Sequence, residues 1–377
     1  MIKFTDDAQV LETMRNHHRN LHKIPEIGDQ LFKTRDYIME HMEHMNCEFT
    51  TVVTTGICAF FDKGKETTVA YRSDMDGLVM KEIAESEYKS QHEGKMHGCG
   101  HDGHMAMLLA FADYVNDTED LPHNVLLVFQ PAEETIGGAQ KIVESGIYEQ
   151  YNVIRTFGVH LWPALPMGTL ASRGGALMPK SSEVSIEIMG KSTHAATSYK
   201  GIDALYIATQ YIADIYKMQE TEIAPEERTL LKICKFNSGS ARNVISGHTS
   251  LLGTMRAFSL DTFDFMEKRL KEIAEDYNKK YGCKIKVHCT EGYLPVINDM
   301  DLYEHIKPHF TSLEKYTELP SPVMISEDFS YYGTRSASVF ALLGTGKSIP
   351  LHSANFDFDE DTLLAGYKYY KMLAHVE

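Results

Sequence analysis

The sequence has few of the features that mark secreted or membrane-bound proteins. Its 377 residues include six cysteines, whose scattered spacing does not suggest a disulfide framework. No uninterrupted apolar stretch is long enough to cross a bilayer, and the opening segment MIKFTDDAQV has no apolar core of signal-peptide length. We therefore expect a cytoplasmic protein with no membrane partner, whose cysteines are thiols and, for five of the six, small buried hydrophobic residues.

Positive charge is also scarce. Aspartate and glutamate number 53 against 37 lysines and arginines, a net charge of −16, and no lysine- or arginine-rich run is present that could follow a phosphate backbone. This balance excludes nucleic acid as an expected partner. An anionic small-molecule substrate would need a local arginine or histidine to receive it, because the overall field repels it.

The chain is too long for one ordinary hydrophobic core, so we expect two domains or one large domain with an insertion. After two helices between about Asp7 and Met45, short β-rich runs follow one another: TVVTTGICAFF, TVAYRSDMDG, NVLLVFQPAEE and TFGVHLW. The segment GHMAMLLAFADYVND lies among them and has helical periodicity. Strands alternating with helices predict an α/β domain with a mostly parallel sheet.

The pattern changes from about Ser181. From there the order strand, helix, strand, strand, helix, strand is the split βαβ pattern of a small α+β layer, ending at KIKVHCT. We therefore predict an inserted domain at 180–289, with the first domain formed by residues 1–179 and 290–377.

The stretch HGCGHDGHM concentrates side chains that can bind metal. Cys99 and His101 are one residue apart, and the flanking Gly98, Gly100 and Gly103 allow a tight bend, so both side chains can face one point. Thiolate and imidazole suit zinc and its first-row neighbours. The alternative is a loop before a helix whose histidines only cap it or face solvent.

Three further candidates each follow a strand-like run. Glu133 and Glu134 stand side by side in QPAEE, so one carboxylate can bind metal while its neighbour reaches the water, although an acidic turn is the simpler interpretation. His160 ends TFGVHLW, where a buried structural histidine is the competing account, and His352 follows SVFALLGTG. Such residues converge at the carboxyl edge of a parallel sheet.

Together these candidates predict two metal ions. Five protein ligands are too many for one tetrahedral ion with an open position: Cys99, His101, Glu134, His160 and His352. Two divalent ions roughly 3.5 to 4 Å apart fit better, with Cys99 as the candidate bridge. Glu133 would then move the proton of the attacking water, and Asp74, or less favourably Asp76, would orient a ligand.

Several motifs in the same order resemble the M20 metallopeptidase clan, and within it the amidohydrolases of the aminoacylase, hippurate hydrolase and N-acetyldiaminopimelate deacetylase type. The resemblance covers nearly the whole chain and is carried by RNLHKIPEIG, AYRSDMDGL, MHGCGHDGHM, VFQPAEE, FGVHLWP, THAA, SARNVISGHTSLLGTMR, SEDFSYYG and LHS. By motif match it places the family's metal ligands on the same five residues, its base on Glu133 and its supporting aspartate on Asp74.

The resemblance also implies roles in the inserted domain, a lid that often mediates dimerisation. His194 in THAA would hold the substrate carboxylate or the oxyanion, and Asn243 and Arg256 match other polar lid residues. Arg256 or Arg242 would supply local positive charge, whereas without the resemblance these are surface polar residues of a sheet.

The function that follows is hydrolysis of N-acyl, first N-acetyl, amino acids, with N-acetyldiaminopimelate as the first candidate and hence a place in lysine biosynthesis. Other N-acyl amino acids or a dipeptide are the alternatives, and a non-catalytic metal-binding or thiol redox protein is the alternative of another class. The implied metals are zinc or manganese, with cobalt and nickel also suited to these ligands. The implied assembly is a homodimer through the lid, with a higher oligomer left open. Departures such as HGCGHD, NVIS and SEDF remove no ligand but leave the substrate open.

Overall fold

The protein divides into two compact units. A computed structural model describes residues 6–135 and 137–377, so the first five residues of the segment inspected for a signal peptide lie outside it. The first unit comprises Met1–Leu177, Ile297–Pro322 and Asp328–Glu377, and the second comprises Met178–Val296 and Val323–Glu327. The predicted division at 180–289 falls inside this second unit, which additionally takes residues 178–179, 290–296 and 323–327.

The helices are α1 Asp7–His22, α2 Phe32–Met42, α3 His101–Asp117, α4 Gly138–Glu144, α5 Ile147–Gln150, α6 Ala204–Thr221, α7 Leu260–Tyr281, α8 Met300–Ile306 and α9 Leu363–Leu373. The strands are β1 Glu48–Val52, β2 Gly56–Phe61, β3 Thr68–Asp74, β4 Leu78–Val79, β5 Lys95–Met96, β6 Asn124–Gln130, β7 Val153–Trp162, β8 Leu170–Ser172, β9 Gly175–Met178, β10 Lys180–Met189, β11 Thr193–His194, β12 Thr229–Ser238, β13 Val244–Ile245, β14 His248–Ala257, β15 Lys284–Cys289, β16 Val296–Asn298, β17 Tyr316–Glu318 and β18 Ala337–Gly344.

The first unit is built on an eight-stranded sheet in the order β1-β2-β6-β3-β7-β18-β8-β17. Its centre, β6-β3-β7-β18, is parallel throughout, as the strand and helix alternation predicts. The pairs β1-β2, β2-β6 and β18-β8 are antiparallel, so the edges are mixed. The parallel centre places the ends of β3, β6 and β7 at one edge, where the chemistry-bearing motifs follow.

Helix α3 packs against the parallel strands and against α1 and α9. It is buried on nearly all sides because its middle, MAMLLAFA, carries no polar side chain. Gly103, predicted to help bend the loop, instead lies within α3, where a β-carbon would come within 2.8 Å of the Phe358 ring. Its small size therefore serves close packing rather than a bend.

The second unit is a four-stranded antiparallel sheet, β12-β14-β10-β15, with α6 and α7 packed on it. Its element order agrees with the predicted split βαβ pattern and adds the short pair β11-β13. Val184, Ile186 and Ile188 alternate inward along β10 and meet the apolar faces of α6 and α7 in a separate core.

The six cysteines are unpaired. Burial was expected for all of them except Cys99, and it is confirmed for Cys58. Cys47, Cys283 and Cys289 are half-buried. The expectation is wrong for Cys234, which is exposed at the register irregularity between Ile233 and Lys235 of β12. Over the described residues 6–135 and 137–377, no helix combines the length and apolar character that a membrane crossing requires.

Candidate metal centre

The segments that follow the parallel strands bring the predicted metal-binding side chains together. Cys99 Sγ lies 3.5 Å from His160 Nε2, and Glu134 Oε1 lies 2.9 Å from His352 Nε2. One ligand atom each of Cys99, Glu134 and His352 lies within 4.8 Å of the others, and the same holds for His101, Glu133 and Glu134. Glu134 is common to both groups, so the five predicted ligands form one connected cluster within the first unit.

Local backbone geometry sets this arrangement. Cys99 directly precedes α3, whose N-cap is Gly100 with φ +84°. A β-carbon at Gly100 would approach Leu161 to 2.8 Å, so glycine is required for both its conformation and its size. His352, itself at φ +59°, donates its backbone N–H to the carbonyl of Gly98 at 2.8 Å. That bond fixes the C-terminal loop against the cysteine loop.

His160 is oriented as a metal ligand. Its Nδ1 lies 2.7 Å from the carbonyl oxygen of Leu161, to which only an N–H can donate, so Nε2 keeps its lone pair toward Cys99. Burial, reinforced by the charge of His104, holds the pKa of His160 well below its ordinary value. The neutral imidazole that a metal requires is therefore the stable form.

Cys99 and His101 are both suited to exchange a proton for a cation. Burial and the carboxylates of Glu134 and Glu133 raise the pKa of Cys99 well above the ordinary thiol value. For His101, burial lowers the pKa, but Asp74 and Asp76 outweigh it and raise the pKa to about 10. Among the described residues, neither ring nitrogen of this buried histidine has a partner that meets hydrogen-bond geometry. A divalent cation would satisfy these groups and replace their protons.

Asp76 has a larger structural part than its sequence position suggests. Its Oδ1 accepts the backbone N–H of Glu133 at 3.2 Å and its Oδ2 that of Glu134 at 3.0 Å. Oδ1 also lies 3.4 Å from His101 Nδ1. Ala132, at φ +63°, turns the chain at the start of this corner. One buried carboxylate therefore sets the positions of both glutamates.

Asp74 is held by a buried polar network. Its oxygens accept from Arg72 at 2.7 Å and from His104 Nδ1 at 2.6 Å, and Oδ2 lies 3.6 Å from His101 Nε2. Burial would raise the pKa of Asp74, but Arg72, His101 and His104 hold it well below its ordinary value. Arg72 also donates to Gln130 at 2.8 Å and to Asp328 at 2.9 Å.

His104 was not among the sequence candidates, although it shares a potential metal group with Asp74, His101 and His160. Its Nδ1–H donates to Asp74, and its Nε2 accepts the backbone N–H of Leu161 at 2.9 Å. Both nitrogens are thus occupied, so His104 orients Asp74 rather than offering a lone pair. The sequence feature that could have identified His104 is its spacing of three residues from His101, which places both on one face of α3.

The predicted lid residues lie in the second unit. His194 is exposed and opposite Val244 in the β11-β13 pair, with its Nδ1 accepting from Ala196 N at 3.2 Å. Asn243 is also exposed, and its carbonyl accepts the N–H of Ala195 at 2.9 Å, so His194 and Asn243 are neighbours. Arg256 is on β14 and donates to the carbonyl of Met324, within the same unit.

A parallel-sheet fold with a buried cluster of thiol, imidazole and carboxylate groups and an adjacent glutamate pair defines a metal-dependent hydrolase. The chain belongs to the family described as Peptidase family M20/M25/M40, whose model matches residues 70–375. It is a metal-dependent enzyme of the amidohydrolase and peptidase class.

Individual relatives span almost the whole chain. An N-acetyldiaminopimelate deacetylase of Streptococcus uberis (strain ATCC BAA-854 / 0140J) is 34% identical over 354 residues, covering 92% of this chain and 93% of that protein. An uncharacterised hydrolase of Staphylococcus aureus (strain bovine RF122 / ET3-1) is 30% identical over 373 residues, with 96% and 97% covered. The Bacillus subtilis protein YxeP, described as a dinuclear metal binding peptidase from the M20 family, has a TM-score of 0.86 at 26% identity, with 98% and 99% covered.

Proposed function

We propose that this enzyme cleaves the amide bond of N-acyl amino acids, first N-acetyl amino acids, with N-acetyldiaminopimelate as the leading substrate. The observation that carries the proposal is the placement of Glu133 in one group with His101 and Glu134, held there by Asp76. A metal storage site has no need of a second carboxylate beside the ligand. The deacetylase of Streptococcus uberis supports the choice of substrate.

The residues that would hold two divalent ions are Cys99, His101, Glu134, His160 and His352. The donor set fits zinc or manganese, and also cobalt or nickel. Ions bound there polarise the acyl carbonyl and lower the pKa of water. The dinuclear description of YxeP supports two ions rather than one.

Proton transfer and the positioning of the metal-binding side chains are assigned to residues of the first unit. Glu133, 7% exposed, takes the proton from the attacking water and delivers it to the leaving amine nitrogen. Asp76 keeps Glu133 and Glu134 at fixed positions through their backbone N–H groups. Leu161 holds His160 in the tautomer that presents Nε2, and His104 and Arg72 hold Asp74. Preorganised groups of this kind reduce the reorganisation that the reaction requires.

The second unit would supply the substrate-binding groups. His194, Asn243 and Arg256 are proposed to receive the amino acid's carboxylate or the oxyanion, because their donors suit an anion that the net charge of −16 otherwise repels. This unit is also the proposed dimerisation domain. The proposed site of action is the cytoplasm.

Other N-acyl amino acids and dipeptides are the second candidates, and the peptidase description of YxeP favours including dipeptides. A thiol redox role is disfavoured because Cys99 is buried and its pKa is raised, whereas a reactive cysteine needs an accessible thiolate.

The test is a panel of N-acetyldiaminopimelate, other N-acetyl amino acids, hippurate and dipeptides, assayed with zinc- or manganese-loaded protein. We expect the highest kcat/KM for N-acetyldiaminopimelate and loss of turnover in Glu133→Gln at unchanged metal content. Absence of amide hydrolysis on every compound, with the metals measured as bound, would overturn the proposal.

A further inference from the structure

Three helices of the first unit bring a second group of histidines together, away from the candidate metal centre. His17 is on α1, His41 on α2 and Asp113 on α3. One nitrogen of each histidine and one oxygen of Asp113 all lie within 4.8 Å of one another. We propose that His17, His41 and Asp113 bind a third divalent cation of the zinc class, which joins the three helices and takes no part in the reaction.

The closest pair in this group already has the spacing of two ligands on one ion. His41 Nε2 and Asp113 Oδ2 are 3.2 Å apart. Two ligands on a tetrahedral zinc ion, each at about 2.0 to 2.1 Å, are separated by roughly 3.3 Å. The rings of His17 and His41 are 4.4 Å apart between centroids, at an interplanar angle of 80°. The His17 ligand atom lies within 4.8 Å of the other two, so it has to approach by no more than about 1.5 Å to reach the spacing on an ion.

His17 supplies the independent observation that points to a ligand. The residue is 6% exposed, and its buried Nε2 has no hydrogen-bond partner within residues 6–135 and 137–377. Its Nδ1 lies 2.9 Å from Tyr37 Oη. If Nδ1–H donates to Tyr37, Nε2 has an unused lone pair, and if Tyr37 donates, Nε2–H has no acceptor. An ion at Nε2 satisfies the first tautomer and gives Tyr37 the usual supporting role behind a metal-bound histidine.

The charge state of His17 agrees with this role. Burial, together with the charge of His41, lowers the pKa of His17 to about 3, so the ring is neutral at ordinary pH. A simple His41–Asp113 hydrogen bond would account for two of the three residues but not for the buried, unpartnered nitrogen. A buried nitrogen left without a partner destabilises the folded state, and a bound ion removes that penalty.

The group is separate from the candidate metal centre. Asp113 is twelve positions beyond His101 along α3. At 1.5 Å per residue, the two positions are about 18 Å apart along the helix axis. The side chain of His41 is 14% exposed, which gives an ion a route of entry from solvent. Because the ion joins α1, α2 and α3, its effect would be on stability, following mass action.

The experiment measures bound zinc per chain after chelation, reloading with zinc and desalting. Wild type is compared with Asp113→Asn and His41→Ala, and with His309→Ala, an exposed histidine of the same unit, as the matched control. We expect each of the two site variants to hold one zinc fewer than wild type, with kcat unchanged within about twofold and a smaller rise in Tm on zinc addition. Equal zinc content in all four proteins would overturn the proposal.

If both site variants fail to fold, the third metal site can still be tested with wild-type protein. Crystals of the zinc-loaded full chain, measured at the zinc absorption edge, should show an anomalous peak about 2.0 to 2.1 Å from a nitrogen of His17. Absence of a peak there, with peaks at the candidate metal centre, would overturn the proposal and leave the proposed function intact.

Discussion

Cys99 Sγ lies 3.5 Å from His160 Nε2, although the two residues are 61 positions apart in the chain. The contact joins the loop before α3 to the end of β7. It places a sulfur and an imidazole nitrogen, both of which can bind metal, next to each other in the protein interior. Without a cation, the Cys99 thiol can donate to the Nε2 lone pair of His160, and once the thiol loses its proton the same two atoms can bind one ion. This pair is the starting point of the proposed metal centre.

Glu133→Gln should reduce kcat by about 10²- to 10⁴-fold, because the amide cannot accept the proton of the attacking water. Steady-state kinetics on the best substrate of the panel, with metal content from elemental analysis, provides the check. The exposed Glu149, also replaced by glutamine, is the matched control. Full activity in Glu133→Gln would remove this residue from the mechanism.

Asp76→Asn should lower kcat by about 10- to 100-fold while the protein remains folded. The asparagine carbonyl accepts one of the two backbone N–H groups, and its NH₂ group faces the other, so Glu133 and Glu134 lose a common anchor. Kinetics and circular dichroism on this variant and on the exposed Asp301→Asn distinguish positioning from folding. Equal kcat values for the two variants would contradict the positioning role.

Arg72→Met should destabilise the protein by about 3 to 5 kcal/mol, because Asp74 and Asp328 would remain buried without their cationic partner. Urea unfolding gives the free energy of unfolding. The control, Arg335→Met, replaces an exposed arginine and should change it by no more than about 0.5 kcal/mol. Similar losses in both variants would refute the network's importance.

The contribution of His22 to stability should decrease at alkaline pH. Burial lowers its pKa, but Asp102 at 2.6 Å and Glu82 at 3.3 Å outweigh burial and raise the pKa from 6.5 to about 10. A group with a raised folded-state pKa contributes fully below its unfolded pKa, so the contribution is complete below 6.5 and is lost as pH rises through about 10.

The measurement is the difference in unfolding free energy between wild type and His22→Gln across pH 6 to 11, with His309→Gln as an exposed control. We expect this difference to shrink with rising pH for His22→Gln by more than for the control. A constant difference at His22 would show that its ion pairs do not depend on its proton.

The sequence patterns predicted the parallel centre of the sheet because β3, β6 and β7 lie in short β-rich runs that are bounded by turn residues and alternate with a helical pattern. They did not predict the antiparallel edges. The run TVVTTGICAFF folds as a hairpin of β1 and β2, with Val53 and Thr54 at positive φ. Neither residue is a typical turn former, so composition carried no signal.

For the candidate centre, ligand types and spacing were enough to select residues that the fold brings together. They led to His101 without His104 and ranked Asp74 above Asp76, but they gave no sign of what His104 and Asp76 contact. Those contacts are with partners from other segments, such as Leu161 for His104 and the glutamate backbone for Asp76. Tertiary hydrogen bonds of this kind have no local sequence pattern.

The most direct test of the account is the location of the metals in crystals of zinc-loaded protein, by anomalous scattering at the zinc edge. Two peaks are expected at the candidate metal centre, bound by Cys99, His101, Glu134, His160 and His352, apart from the third peak proposed at His17. Fewer than two peaks at this centre, or peaks there whose ligands do not include Cys99 and Glu134, would contradict the central claim.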